Sequence, residues 1–105
     1  MMERSVVITA HAEAQMDRHL SYIVDRLRNP QAAESVYRDF MATARSLSIT
    51  AGSIGASQDA ALRERRLKRV NFRSHNYFLL FREDGDTVVI TNVYHFREKY
   101  IAKLE

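Results

Sequence analysis

The chain has 105 residues, enough for one domain (1–105) built around a single core. It contains no cysteine, which excludes disulfides and thiolate metal sites. With 46% hydrophobic and 28% charged residues, the composition is that of a globular chain, not a disordered one. The net charge is only +3, yet Arg63, Arg65, Arg66, Lys68, Arg69 and Arg73 crowd into eleven positions against the single acid Glu64. That stretch alone balances at +5, so the remainder of the chain is slightly acidic. The positive charge is a local patch, which suits a polyanionic or acidic partner; a charged strand edge that resists aggregation is the plainer reading. The apolar run near the start, Val6 to Ile8, is too short for a signal-peptide core, and no run approaches a membrane span. The expectation is a cytoplasmic protein that does not enter a membrane.

In chain order, Ser5 to Thr9 is short and β-branched and reads as a first strand. Thr9 can cap a following helix, with Glu13 placed favourably in its first turn. Met16, Leu20, Ile23, Val24 and Leu27 then recur at helical spacing. Asn29-Pro30 ends that helix and opens a second, because proline disfavours helical backbone before it and suits the first helical position. The second helix carries Ala33, Val36, Tyr37, Phe40, Met41, Ala44 and Leu47 on one stripe, so the two helices form a hairpin. Ser48 to Asp59, with Gly52, Gly55 and several small polar residues, reads as a loop.

Three strands follow: Arg65 to Phe72, Asn76 to Glu83, and Thr87 to Tyr94, the last two joined by a turn at Glu83-Asp84-Gly85-Asp86. Alternation along the first of these puts Arg69 and Asn71 on one face and Lys68, Val70 and Phe72 on the other, with Val70 and Phe72 toward the helices. Tyr77 to Phe81 is apolar on both faces, which marks a central strand covered on both sides or covered by a partner. Phe96 to Leu104 is a short helix or an extended end. The order β-α-α-β-β-β gives an α+β fold, a helical hairpin against a mostly antiparallel four-stranded sheet.

Four segments carry a resemblance to the RelE/ParE superfamily of type II toxin–antitoxin toxins: Ile8-Thr9-Ala10-His11-Ala12-Glu13, Leu27-Arg28-Asn29-Pro30-Gln31-Ala32-Ala33, Asn76-Tyr77-Phe78-Leu79-Leu80-Phe81 after the basic stretch, and Val93-Tyr94-His95-Phe96-Arg97-Glu98-Lys99-Tyr100. Their order and spacing cover nearly the whole chain. The resemblance implies a small growth-inhibiting toxin neutralised by a cognate antitoxin. It implies one of two targets, because RelE-like members cleave mRNA on the ribosome and ParE-like members poison DNA gyrase. A shared fold does not choose between them. A relative that has lost toxicity and kept its partner surface is a third possibility.

Metal-free RNA cleavage needs a base for the 2′-hydroxyl, cations for the charge on phosphorus and an acid for the leaving oxygen. By resemblance to the nuclease members, Arg69 and Arg73 supply cations from the basic strand, and Arg97 and Tyr100 form the C-terminal pair. His95 is the candidate base, since arginine stays protonated at working pH and an unperturbed histidine does not; His75 is a poorer candidate. Arg65, Arg66 and Lys68 are candidate RNA-binding residues. Two departures stand out: Phe78 occupies a position that is often arginine in the nuclease members, and Asn71 a position near their strand lysine. Each residue also has a structural reading: a backbone-bonded His95 at a strand end, a Tyr100 that plugs the core, a helix-surface His19. The sequence leans toward mRNA cleavage on the strength of the +5 stretch. No histidine or carboxylate cluster has metal spacing and no glycine loop cradles phosphate, so neither metal nor cofactor is expected.

Overall fold

A computed structural model describes residues 3–104. Its elements run β1 (Ser5–Ile8), α1 (Ala10–Asp25), α2 (Pro30–Thr50), a 3-10 turn (Ala51–Ser53), α3 (Ala60–Glu64), β2 (Lys68–Asn71), β3 (Tyr77–Asp84), β4 (Thr87–His95) and a second 3-10 turn (Tyr100–Lys103). Thr9 caps α1 by accepting from the Ala12 N–H at 3.1 Å, and Asn29 caps α2 by accepting from Ala32 at 3.0 Å, with Pro30 just inside. Between the helices, Arg28 takes a left-handed conformation (φ 54°), and the Asn29 N–H bonds the Ile23 carbonyl at 3.2 Å. That reversal folds the hairpin.

The four strands form one sheet in the order β1-β4-β3-β2, with β1 parallel to β4 and the other pairs antiparallel. The register shifts between Leu80 and Phe81, leaving Thr91 of β4 as the extra residue of a bulge. The helical hairpin covers one face. Met16, Ile23, Val36, Phe40 and Leu47 pack there on Leu79, Phe81, Ile90 and Val93. On the opposite face Phe78, Leu80 and Tyr94 are buried under Leu62 and Leu67, with Tyr100 and Leu104 packed against them. The chain therefore covers β3 on both sides by itself. The apolar strand needs no partner to bury it, because α3 and the C-terminal turn do so.

Three expectations change. The segment from Ser48 to Asp59 is not one loop: α2 continues to Thr50 and a 3-10 turn follows. Its small polar residues bond back along the chain, Thr50 to the Ser46 carbonyl and Ser53 to the Thr50 carbonyl, while Ala51 is buried. The strand expected from Arg65 begins only at Lys68, because Arg66 adopts a left-handed backbone (φ 58°) that turns the chain from α3 into β2. Val24 and Leu27 of the expected α1 stripe lie outside the core, exposed by 39% and 57%.

The two-sided burial of β3 has a measurable consequence. Leu79→Ala and Leu80→Ala, on opposite faces, should each lower unfolding stability by about 2–5 kcal/mol in urea titrations. A Leu80→Ala protein as stable as wild type would show that the second face is not packed.

Candidate functional site

β4 is longer than β1, so among the described residues its outer edge has no strand partner beyond Ile90. Helix α1 satisfies it with side chains. The Val93 N–H donates to Gln15 Oε1 at 2.8 Å, and His19 Nε2 lies 3.1 Å from the Val93 carbonyl. A backbone donor and acceptor at this depth must be paired. His19, expected on the helix surface, is thus drawn beneath the sheet end, and burial lowers its pKa despite the raising effects of the Val93 carbonyl and Glu98.

His19 begins a cluster on the helix side of the sheet. Its ring meets Tyr77 edge-on at 5.1 Å between centroids, and Tyr77 meets His95 edge-on at 4.9 Å. His95 lies directly across the β3–β4 ladder from Tyr77. Its Nδ1 accepts from the Arg97 N–H at 3.1 Å, and its own N–H donates to Glu98 Oε1 at 3.0 Å. His95 therefore organises the tight turn that leaves β4. The Glu98 carboxyl would be pushed up by burial, but the His95 N–H and the Lys103 ammonium outweigh this and hold it low. Burial first, and Glu98 second, raise the Tyr77 phenol.

Arg69 lies on the other face of the sheet, as alternation along β2 predicts, since its neighbour across the ladder is Leu80. Its guanidinium sits 3.7 Å above the Phe78 ring centre and 5.5 Å from that of Phe96, and its Nε donates to Asn71 Oδ1 at 3.0 Å. Tyr100 packs on Phe78 and Tyr94 and donates its hydroxyl to Asp59 Oδ2 at 3.0 Å. Burial and the Asp59 carboxylate raise its pKa. The other oxygen of Asp59 caps α3 through the Ala61 N–H at 3.0 Å. This cluster closes the second core and ties α3, β2 and the C-terminal turn together.

The remaining residues scatter. Arg73 is exposed in the β2–β3 turn. The turn itself is clamped by Asp39 of α2, which accepts from the N–H groups of Arg73 (3.1 Å) and Ser74 (2.9 Å) and pairs with His75 Nδ1 at 2.7 Å. His75 Nε2 lies 3.2 Å from Ser35 Oγ, so both ring nitrogens are engaged. Lys68 points to the helix side, where it shares Glu83 with Arg4. Arg65 donates to the Ala61 carbonyl at the end of α3, and Arg66 lines a cavity of about 420 Å³ with Arg63 and Lys68. Arg97 is exposed beside His95. The structure thus brings Arg69 and Tyr100 together and places His95 with Arg97 across the sheet from them.

Sequence reasoning missed His19, Gln15, Asp39, Asp59 and Glu98. For two of them a signal existed: Gln15 and Asp39 are polar residues on the buried stripes of their helices, Asp39 between Val36 and Phe40 and Thr43. Asp59 and Glu98 act through turns, where no periodicity marks them. Among the described residues, no group of three histidine or carboxylate side chains is placed to hold a metal, and no helix is long and apolar enough to cross a membrane.

The profile of a family described as the ParE toxin of type II toxin–antitoxin systems, parDE, matches residues 6–100. Among solved structures, a chain of the chromosomal ParDE toxin–antitoxin system from P. aeruginosa is similar, with a TM-score of 0.72 and 20% identity over 89% of this chain and 96% of that one. At that identity the likeness shows the fold. A search of curated protein sequences finds no significant match.

The Asp39 clamp is testable by pH. Burial would raise this carboxyl, but hydrogen bonds from His75, Ser74 and Arg73 outweigh burial and hold it below its ordinary value. A depressed folded pKa stabilises above the unfolded value of about 3.9, and that contribution fades as pH falls through the folded one. Asp39→Ala should cost about 2–3 kcal/mol at neutral pH. The gap from wild type should narrow as the pH drops below about 4; a gap independent of pH would contradict the clamp.

Proposed function

This chain belongs to the ParE toxin family of type II toxin–antitoxin systems, and from that premise we propose that it arrests growth as a poison of DNA gyrase, acting by protein contact and neutralised by a cognate antitoxin. One observation carries the reading: His95 lies on the helix side of the sheet, while Arg69 and Tyr100 lie on the other. Cutting RNA without a metal needs the base and the phosphate-binding cations within hydrogen-bond reach of one reacting group. A base on one face cannot serve a phosphate held on the other.

The polar groups beside Arg69 offer no substitute. Both Asp59 oxygens are committed, one to the Tyr100 hydroxyl and one to the cap of α3. Arg69 is stacked on Phe78 and bonded to Asn71, and its own guanidinium does not act as a base. Phe78, an arginine in many nuclease members, here supplies the surface on which Arg69 rests. Such a face is built for internal packing. The exposed basic residues Arg65, Arg66 and Arg73 then serve as electrostatic contacts for a protein or nucleoprotein partner.

The alternative reading is ribosome-dependent mRNA cleavage with Arg69, Arg73, Arg97, Tyr100 and His95 as the reacting set. A supercoiling assay with purified toxin and gyrase separates the two. The expected result is loss of supercoiling with trapped cleaved DNA. Normal supercoiling at saturating toxin would rule the gyrase reading out.

A further inference from the structure

At the C-terminal end of α1 the helix side of the sheet opens into a cleft of about 400 Å³. Tyr77 forms its floor, His19 and His95 flank that ring edge-on, and Tyr22, Leu27 and Arg97 form the mouth. Tyr22 and Leu27 are more than half exposed, although both are large and apolar. They are held outward by the backbone. The Arg26 and Leu27 N–H groups both bond the Tyr22 carbonyl, and left-handed Arg28 turns the chain immediately afterwards. Neither side chain contributes to either core. Exposed apolar groups gathered at the mouth of a cleft mark a surface that something else covers.

The charge around the cleft says what kind of partner suits it. Arg97 at the mouth and Arg26 and Arg28 on either side of Leu27 are exposed and carry no ion pair among the described residues. Glu98, the carboxylate nearest the floor, is already engaged by Lys103, the His95 N–H and His19. The cleft therefore presents Tyr22, Leu27 and Tyr77 beside the unpaired cation Arg97, with Arg26 and Arg28 next to Leu27 in the chain. The Lys68 region differs: there the lysine is already paired with Glu83.

We propose that this cleft is the surface through which the toxin engages its protein target, taking an acidic segment that presents one large apolar side chain. The assignment rests on the contact-inhibitor reading above. A partner side chain seated against Tyr77 would be desolvated by Tyr22 and Leu27, and carboxylates beside it would meet Arg26, Arg28 and Arg97.

The test uses Tyr22→Ala, Leu27→Asp and Arg97→Glu in the full chain, with Ile49→Asp as a control, since Ile49 is equally exposed at the far end of α2. Each is induced in cells without antitoxin, and each purified protein is assayed for melting temperature, for binding to the antitoxin encoded beside it, and for gyrase inhibition. The cleft variants should lose at least tenfold in growth arrest and in gyrase inhibition, while melting temperature and antitoxin affinity stay near wild type and Ile49→Asp stays toxic. Full toxicity of the cleft variants would overturn the proposal. So would a loss of antitoxin binding with toxicity intact, which would give the cleft to the antitoxin. If wild-type toxin arrests growth but leaves gyrase active, the gyrase reading fails, and the growth-arrest comparison alone still decides whether the cleft meets the target.

Discussion

Burial of β3 on both faces is the constraint from which the rest of the structure follows. A strand reading Tyr77-Phe78-Leu79-Leu80-Phe81 cannot leave either side in water without exposing large apolar groups. The helical hairpin covers Leu79 and Phe81, while α3 and the C-terminal turn cover Phe78 and Leu80. Each cover then needs its own fastening. On the helix side, Gln15 and His19 hold the edge of β4 that the short β1 leaves bare, and Asp39 holds the β2–β3 turn. On the other side, Asp59 and Tyr100 fasten α3 to the C-terminal turn.

The same division sorts the chemistry. Residues that the sequence could place only along a line are assigned by the sheet to two sides. Arg69 and Tyr100 fall on the side closed by α3, and His95 on the side closed by α1. The histidine works as a turn residue, accepting from Arg97 and donating to Glu98. The arginine rests on Phe78. The most polar-looking positions of the C-terminal half are largely spent on holding the two covers in place. What stays unspent is the cationic, apolar-rimmed cleft at the end of α1.

Much of the fold was legible from periodicity and punctuation. The helical stripes, Thr9 and Asn29-Pro30 as boundaries, and the turn at Gly85 each follow from local rules, and the alternation along β2 put Arg69 on the correct face. Long-range satisfaction was not legible. Nothing local says that Thr50 and Ser53 will bond back along the chain instead of forming a loop, or that Arg66 will take a left-handed turn. Leu27 fits the helical period but lies beyond the helix end, so it faces water. Of the site, the residue types were readable and their grouping was not. Which face His95 shares depends on the β3–β4 register, which no single segment encodes.

The central claim is the proposal that the toxin acts by contact, because the sheet separates His95, the favoured candidate base, from Arg69 and Tyr100. Mapping mRNA 5′ ends in cells arrested by the induced toxin tests it most directly. The account predicts growth arrest with transcripts free of codon-phased cuts. Codon-phased ends that appear on induction and vanish with His95→Ala would contradict it.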